Sequence, residues 1–136
     1  MIYALDTIVV SELRRKRPHG GVLAWYLAQK PENVVVPAVV AGEIQQGVER
    51  SRLTDPSKAM EIEAWLNTIL KQFIFVSADE SIFRMQVMLK EARRTLQYED
   101  ALIAATAKVY GMVIATRNVK DFEGLGIPIV NPFDYR

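Results

Sequence analysis

Short apolar runs alternate with amphipathic stretches along nearly the whole chain. Ile2–Leu5 is apolar and β-compatible without alternation, the mark of a strand buried on both faces of a parallel sheet. Val34–Val36, closed by Pro37, repeats the pattern, and Phe73–Val76 gives a short third run. Met112–Thr116 is a fourth, with Gly111 before it as a helix stop. Ile127–Val130 predicts an edge strand beyond the turn punctuated by Gly124 and Gly126. Helical spacing fills the intervals. A helix follows Thr7, and after a loop at Pro18–Gly21 a second carries Val22, Leu23, Tyr26 and Leu27. A third runs from Ala38 to about Arg50. Asp55–Pro56 starts a fourth, with a stripe through Ile62, Trp65, Leu66, Ile69, Leu70 and Phe73. Asp79 or Ser81 caps a fifth, with Ile82, Met85, Leu89 and Ala92 on one side. The small residues of Ala101–Ala107 let a sixth helix sit very close to a sheet. Strands separated by helices imply right-handed crossovers and a mostly parallel sheet. The expectation is one α/β domain over residues 1–136, with a long helical pair inserted between strands.

Composition narrows the chemistry. With 136 residues, half of them hydrophobic, the chain can bury one core without staples. It has no cysteine, which excludes disulfides, thiolate zinc sites and cysteine nucleophiles. No window approaches a membrane span and no charged leader precedes the first strand, so the expected location is the cytoplasm. Seventeen basic and 16 acidic residues give a formal charge of +1. Attraction to nucleic acid would therefore come from local clusters, of which Arg14, Arg15 and Arg17 in the RRKR run with Arg117 are the candidates and Arg50, Arg52, Arg93 and Arg94 possible additions. His19 is the only histidine, and beside two glycines it reads as an exposed loop residue rather than a base.

Charge at strand ends carries the functional signal. Asp6 falls where the first strand stops, at the sheet edge on which open α/β folds build their sites. As a single residue it reads first as a helix N-cap and only second as a metal ligand, so the other acidic positions must decide. Glu43 lies in the first turns of the helix after the second strand, Asp100 in the first turn of the small-residue helix, and Asp121 in the polar loop after the fourth strand. Glu99 is expected to point into solvent. Carboxylates gathered on one rim resist ionising together unless a cation neutralises them. An all-oxygen set of this kind suits Mg²⁺ or Mn²⁺, and such an ion supports hydrolysis of a phosphodiester without a side-chain nucleophile. The residues alone leave DNA and RNA undistinguished.

The ordered set LDT (5–7), SEL (11–13), GEI (42–44), GVER (47–50), EDALIAATA (99–107), TRNVKDF (116–122) and NPF (131–133) resembles the PIN-domain toxins of bacterial toxin–antitoxin pairs, the VapC and FitB-like proteins. That resemblance implies a three-layer α/β/α sandwich around a short parallel sheet, and endoribonuclease activity with Mg²⁺ or Mn²⁺. It makes Asp6, Glu43, Asp100 and Asp121 the acidic site, with Asp6, Asp100 and Asp121 nearest the metal. It places Thr7, Thr116 and Asn118 in support, with Arg117 in the same loop as the last two. It also implies a homodimer and a small VapB-like antitoxin that blocks the site, operator DNA being reached only through that antitoxin.

One position departs from the family pattern. Ile8 stands where these toxins usually carry asparagine, and isoleucine cannot hydrogen-bond around the acids. The alternative is therefore a catalytically weakened protein that acts by binding antitoxin or RNA. A third reading, a phosphatase with Asp6 as nucleophile, is loosely similar to haloacid-dehalogenase enzymes. It would need a second aspartate at position 8, where Ile8 stands.

Overall fold

The computed structural model describes residues 1–136. Five strands form one sheet: β1 (Tyr3–Leu5), β2 (Val34–Pro37), β3 (Ile74–Val76), β4 (Val113–Ala115) and β5 (Ile129–Val130). Their order is β3-β2-β1-β4-β5 and every pairing is parallel. β1 lies in the middle, in register with β2 through Tyr3–Val34 and with β4 through Leu5–Ala115. Ala4, Leu5 and Val36 are fully buried, as expected for unalternating strands covered on both faces.

Seven helices connect the strands: α1 (Thr7–Arg14), α2 (Gly20–Leu27), α3 (Ala38–Arg52), α4 (Pro56–Gln72), α5 (Glu80–Ala92), α6 (Tyr98–Tyr110) and the single turn α7 (Val119–Phe122). Progress from β1 to β3 runs one way along the sheet and β4–β5 lie on the other side of β1. Right-handed crossovers therefore put α1–α4 on one face and α5–α6 on the other. The strand order reverses between β1 and β4. Crevices at such a switch point, beyond the strands' carboxyl ends, are where open parallel sheets bind ligands.

Local chemistry sets the boundaries. Asp55 caps α4 through the Lys58 N–H, and Asp79 rather than Ser81 caps α5 through the Ile82 N–H. Gly111, at φ +65°, ends α6 in the left-handed conformation that disfavours other residues. Every residue of α6 from Ala101 to Ala107 is buried, because small side chains let it lie close on the sheet.

One expectation changes. Gly20 and Gly21 belong to the first turn of α2 and not to a loop. The reason is His19, whose Nδ1 accepts from the Gly21 and Val22 N–H groups and caps the helix that its neighbours open. Its ring also packs against Phe133, at 5.1 Å between centroids. The sole histidine is thus structural. No helix is long and apolar enough to cross a membrane.

Candidate active site

Asp6 follows directly on β1 and is only 5% exposed. Its backbone N–H donates to the Ala115 carbonyl of β4, so the sheet ladder itself fixes where it leaves the strand. The capping use is present, and the second carboxylate oxygen is engaged as well. Oδ1 accepts from the Thr7 N–H at 2.8 Å, capping α1, while Oδ2 accepts from the Thr116 hydroxyl at 2.7 Å. Thr116 lies just past β4, fully buried, and its oxygen accepts in turn from the Asn118 N–H at 2.9 Å. The hydroxyl's proton therefore points at Asp6, and the loop after β4 is tied to the acid after β1.

Glu43, half-buried one turn into α3, is held in the same way. Its Oε1 accepts from the Thr7 hydroxyl at 2.7 Å. One threonine thus serves two acids, through its N–H and its side chain. Asp100 sits half-buried in the first turn of α6, and Asp121 is exposed on α7. Neither of these two carboxylates is held by a hydrogen bond to another side chain, which leaves them free to rotate.

The four groups feel one another. Burial raises the pKa of Asp6 against the opposing hydrogen bonds from Thr116 and Thr7, and Asp121 adds to the rise. Burial likewise raises Glu43, opposed by Thr7 and reinforced by Asp6 and Glu99. Asp100 is pushed up to about 6, first by burial and then by Asp6, Glu43, Asp121 and Glu99. Glu99 is half-buried at the edge of the cluster rather than fully in solvent, which corrects the expectation, and its charge acts on both Asp100 and Glu43. It shares a turn with Asp100, and the two flank the same rim. No basic side chain forms an ion pair with any of these acids, the ion pairs of the chain lying at Glu12, Glu49, Glu63 and Glu91.

Concentrated, partly desolvated negative charge with only oxygen donors fits a hard divalent cation. As the side chains stand, no three His, Asp or Glu groups lie close enough together to hold an ion. Asp6 and Glu43 are fixed by their hydroxyl partners, so closing a shell would fall to rotation of Asp100 and Asp121.

Two recesses border the acids. One, of about 380 Å³, opens over Asp100 and Asp121 with Arg93 and Lys120 in its walls. The other, of about 240 Å³, runs past Thr7 and Glu43 to Arg14 and Trp65, with the Arg14 guanidinium 5.9 Å from the Trp65 ring centroid. The other basic candidates are placed differently. Arg15 pairs with Glu12, Arg17 is exposed, and Arg117 stacks 4.6 Å from the centroid of Phe133. The sequence offers Arg93 only as a possible addition to the basic run and Lys120 only as part of the polar loop after the fourth strand. The RRKR run draws the eye, whereas these two meet the acids only through the fold.

A family model described as the PIN domain matches residues 3–126. VapC ribonuclease Y4jK of Sinorhizobium fredii is 31% identical over 135 residues, spanning 96% of this chain and 96% of that protein. Toxin FitB of Neisseria gonorrhoeae is 30% identical over 135 residues, spanning 95% and 96%. A chain in the crystal structure of FitAcB from the same organism superposes with a TM-score of 0.85 at 28% identity, covering 98% of this chain and 99% of that one. A chain of VapBC2 from Rickettsia felis, solved bound to a DNA fragment from its promoter, shares the fold with a TM-score of 0.78 at 21% identity.

Proposed function

Because the chain belongs to the PIN-domain family, we propose that it is the toxin of a toxin–antitoxin pair and acts as a ribonuclease. Relatives named as a VapC ribonuclease and as toxin FitB, each matched over nearly the full length, support that reading. The observation that carries it within this chain is the buried Asp6, electrostatically joined to Glu43, Asp100 and Asp121 at the switch point of the sheet.

In this reading Asp6, Asp100 and Asp121 hold Mg²⁺ or Mn²⁺. The ion supplies charge neutralisation and Lewis acidity for hydrolysis of an RNA phosphodiester. The chain's own residues do the rest. Thr116 and the Thr7 N–H keep Asp6 oriented. Glu43, anchored through Oε1, keeps Oε2 free for the proton of an attacking water, and its raised pKa makes it a stronger base than an ordinary glutamate. Water adds to phosphorus as its proton passes to Glu43, one P–O bond breaks, and the leaving oxygen takes that proton back from Glu43. Arg14 and Lys120, in the two recesses beside the acids, are placed to meet neighbouring phosphates.

Two partners belong to the same proposal. One is an antitoxin that covers the acidic rim. The other is a second copy of the chain, for which the unpartnered apolar side chains Phe83, Val87 and Met88 of α5 provide a surface, each 45–55% exposed. Light scattering of the purified chain should give twice the monomer mass.

The deciding experiment is cleavage of a mixed RNA panel by folded, antitoxin-free protein with Mg²⁺, Mn²⁺ or chelator. Cleavage should need the ion. Supporting residues of metal sites commonly cost ~10–100-fold when removed, so Asp6→Asn and Asp100→Asn should each lower the rate by more than about 100-fold. Intact RNA with every ion would refute the enzyme and leave the binding-protein reading that Ile8 suggests.

A further inference from the structure

We propose that Arg93 is a positioning residue for Asp121, an inference that rests on the nuclease reading for its catalytic part and on geometry for the rest. Asp121 is carried by α7, a single turn whose N-cap Asn118 makes no side-chain capping bond. So short a helix leaves most of its carbonyls without internal partners. Inside the segment only the Glu123 N–H to Val119 carbonyl and Asp121 N–H to Asn118 carbonyl bonds, with the buried Phe122, resist its unwinding.

The missing support comes from 28 residues earlier in the chain. Arg93, at the end of α5, donates Nη1 to the Glu123 carbonyl at 2.8 Å and Nη2 to the Asp121 carbonyl. A planar guanidinium bridging two carbonyls two residues apart fixes both the position and the tilt of the turn, which an ammonium on a flexible stem cannot do. Arg93 is itself anchored. Its N–H closes α5 on the Leu89 carbonyl, and Lys90 Nζ holds the following loop through the Leu96 carbonyl at 2.6 Å.

Two of its N–H donors go to the backbone of Asp121 and Glu123 and it forms no ion pair with the Asp121 carboxylate, although the side chain also walls the recess over Asp100 and Asp121. Arg93 sets where the Asp121 carboxylate sits rather than neutralising it. Removing it should misplace that acid while leaving RNA binding largely intact.

The test compares wild type, Arg93→Ala and Arg93→Lys, with Asp121→Ala as background. By hydrogen exchange, peptides covering residues 117–125 should exchange at least about tenfold faster in Arg93→Ala, with α6 peptides unchanged. For cleavage, kcat should fall about 10–100-fold with KM moving less than about threefold, and Arg93→Lys should recover part of the loss. Adding Arg93→Ala to Asp121→Ala should cost nothing further. Unchanged exchange in 117–125, a raised KM at constant kcat, or a full additional loss in the Asp121→Ala background would each overturn the proposal. Should the wild type cleave no RNA, the nuclease reading fails, and the exchange measurement alone decides whether Arg93 holds α7.

Discussion

Replacing Asp100 by asparagine should make the metal-free protein more stable at neutral pH while destroying its activity. Asp100 has its pKa raised from 3.8 to about 6 in the folded chain, by burial first and by neighbouring acids second. The folded state therefore binds more protons than the unfolded state between those two values. Stability falls as pH rises through that window, and the whole penalty is in place above about pH 7. Two pKa units correspond to about 3 kcal/mol. Asp100 is only half-buried, so solvent screening reduces this to about 1–2 kcal/mol. Asp6 and Glu43 are shifted in the same direction, each by burial first. In chelator near pH 7.5 the Asp100→Asn variant should melt about 3–10 °C above wild type. Near pH 4 the two should nearly coincide. Added Mn²⁺ should then stabilise wild type more than the variant, because the cation relieves a repulsion that the variant lacks. Thermal melts followed by circular dichroism at both pH values settle it. An Asp100→Asn variant no more stable than wild type in chelator near pH 7.5, or a gain equal at both pH values, would refute the electrostatic account of the cluster.

Three further outcomes follow from the same geometry. Thr116→Val removes the donor to Asp6 Oδ2 and strands the Asn118 N–H. It should cost about 1–3 kcal/mol in urea unfolding, and cleavage should fall about 10–100-fold. Ile8→Asn should raise cleavage by no more than about threefold, because Thr7 and Thr116 already supply the hydroxyl donors. It should also lower stability, since Ile8 packs against the core. A gain of about tenfold or more would instead favour the weakened binding protein. Gly111→Ala meets no atom within 4 Å of its new Cβ, so its effect should be the left-handed backbone cost alone. That is about 1–2 kcal/mol, read from Tm with activity unchanged.

The sheet was legible because its strands are buried on both faces and so read as unbroken apolar runs, Val34–Val36 most plainly. Caps were legible where a side chain of known habit stands before a helix, as at Asp55 and Asp79. His19 was not, because a ring nitrogen capping two glycine-led turns has no propensity signature. In the site, Asp6 and Asp100 were visible from strand ends and helix starts. The division of labour between Thr7 and Thr116 was visible only as two hydroxyls near two acids. Glu99 was misjudged because helical phase puts it off the Asp100 face, yet the rim is broad enough for both to feel the same neighbours. The role of Arg93 was hidden for a different reason. Its partners are main-chain carbonyls, which carry no residue identity for a sequence to display.

Thr116 reaches Asp6 across 110 residues of chain, and β1 needs β4 as its neighbour. A growing polypeptide released to fold from its front end can pair β1 with β2 early, but it cannot complete the acidic rim until nearly all of it has been made. At ordinary elongation rates of about 5–20 residues per second, the interval between the first acid and its last support is several seconds. If the proposed toxin reading holds, the nascent chain would be harmless for that time, and a neutralising partner would have until translation ends to disarm each new molecule.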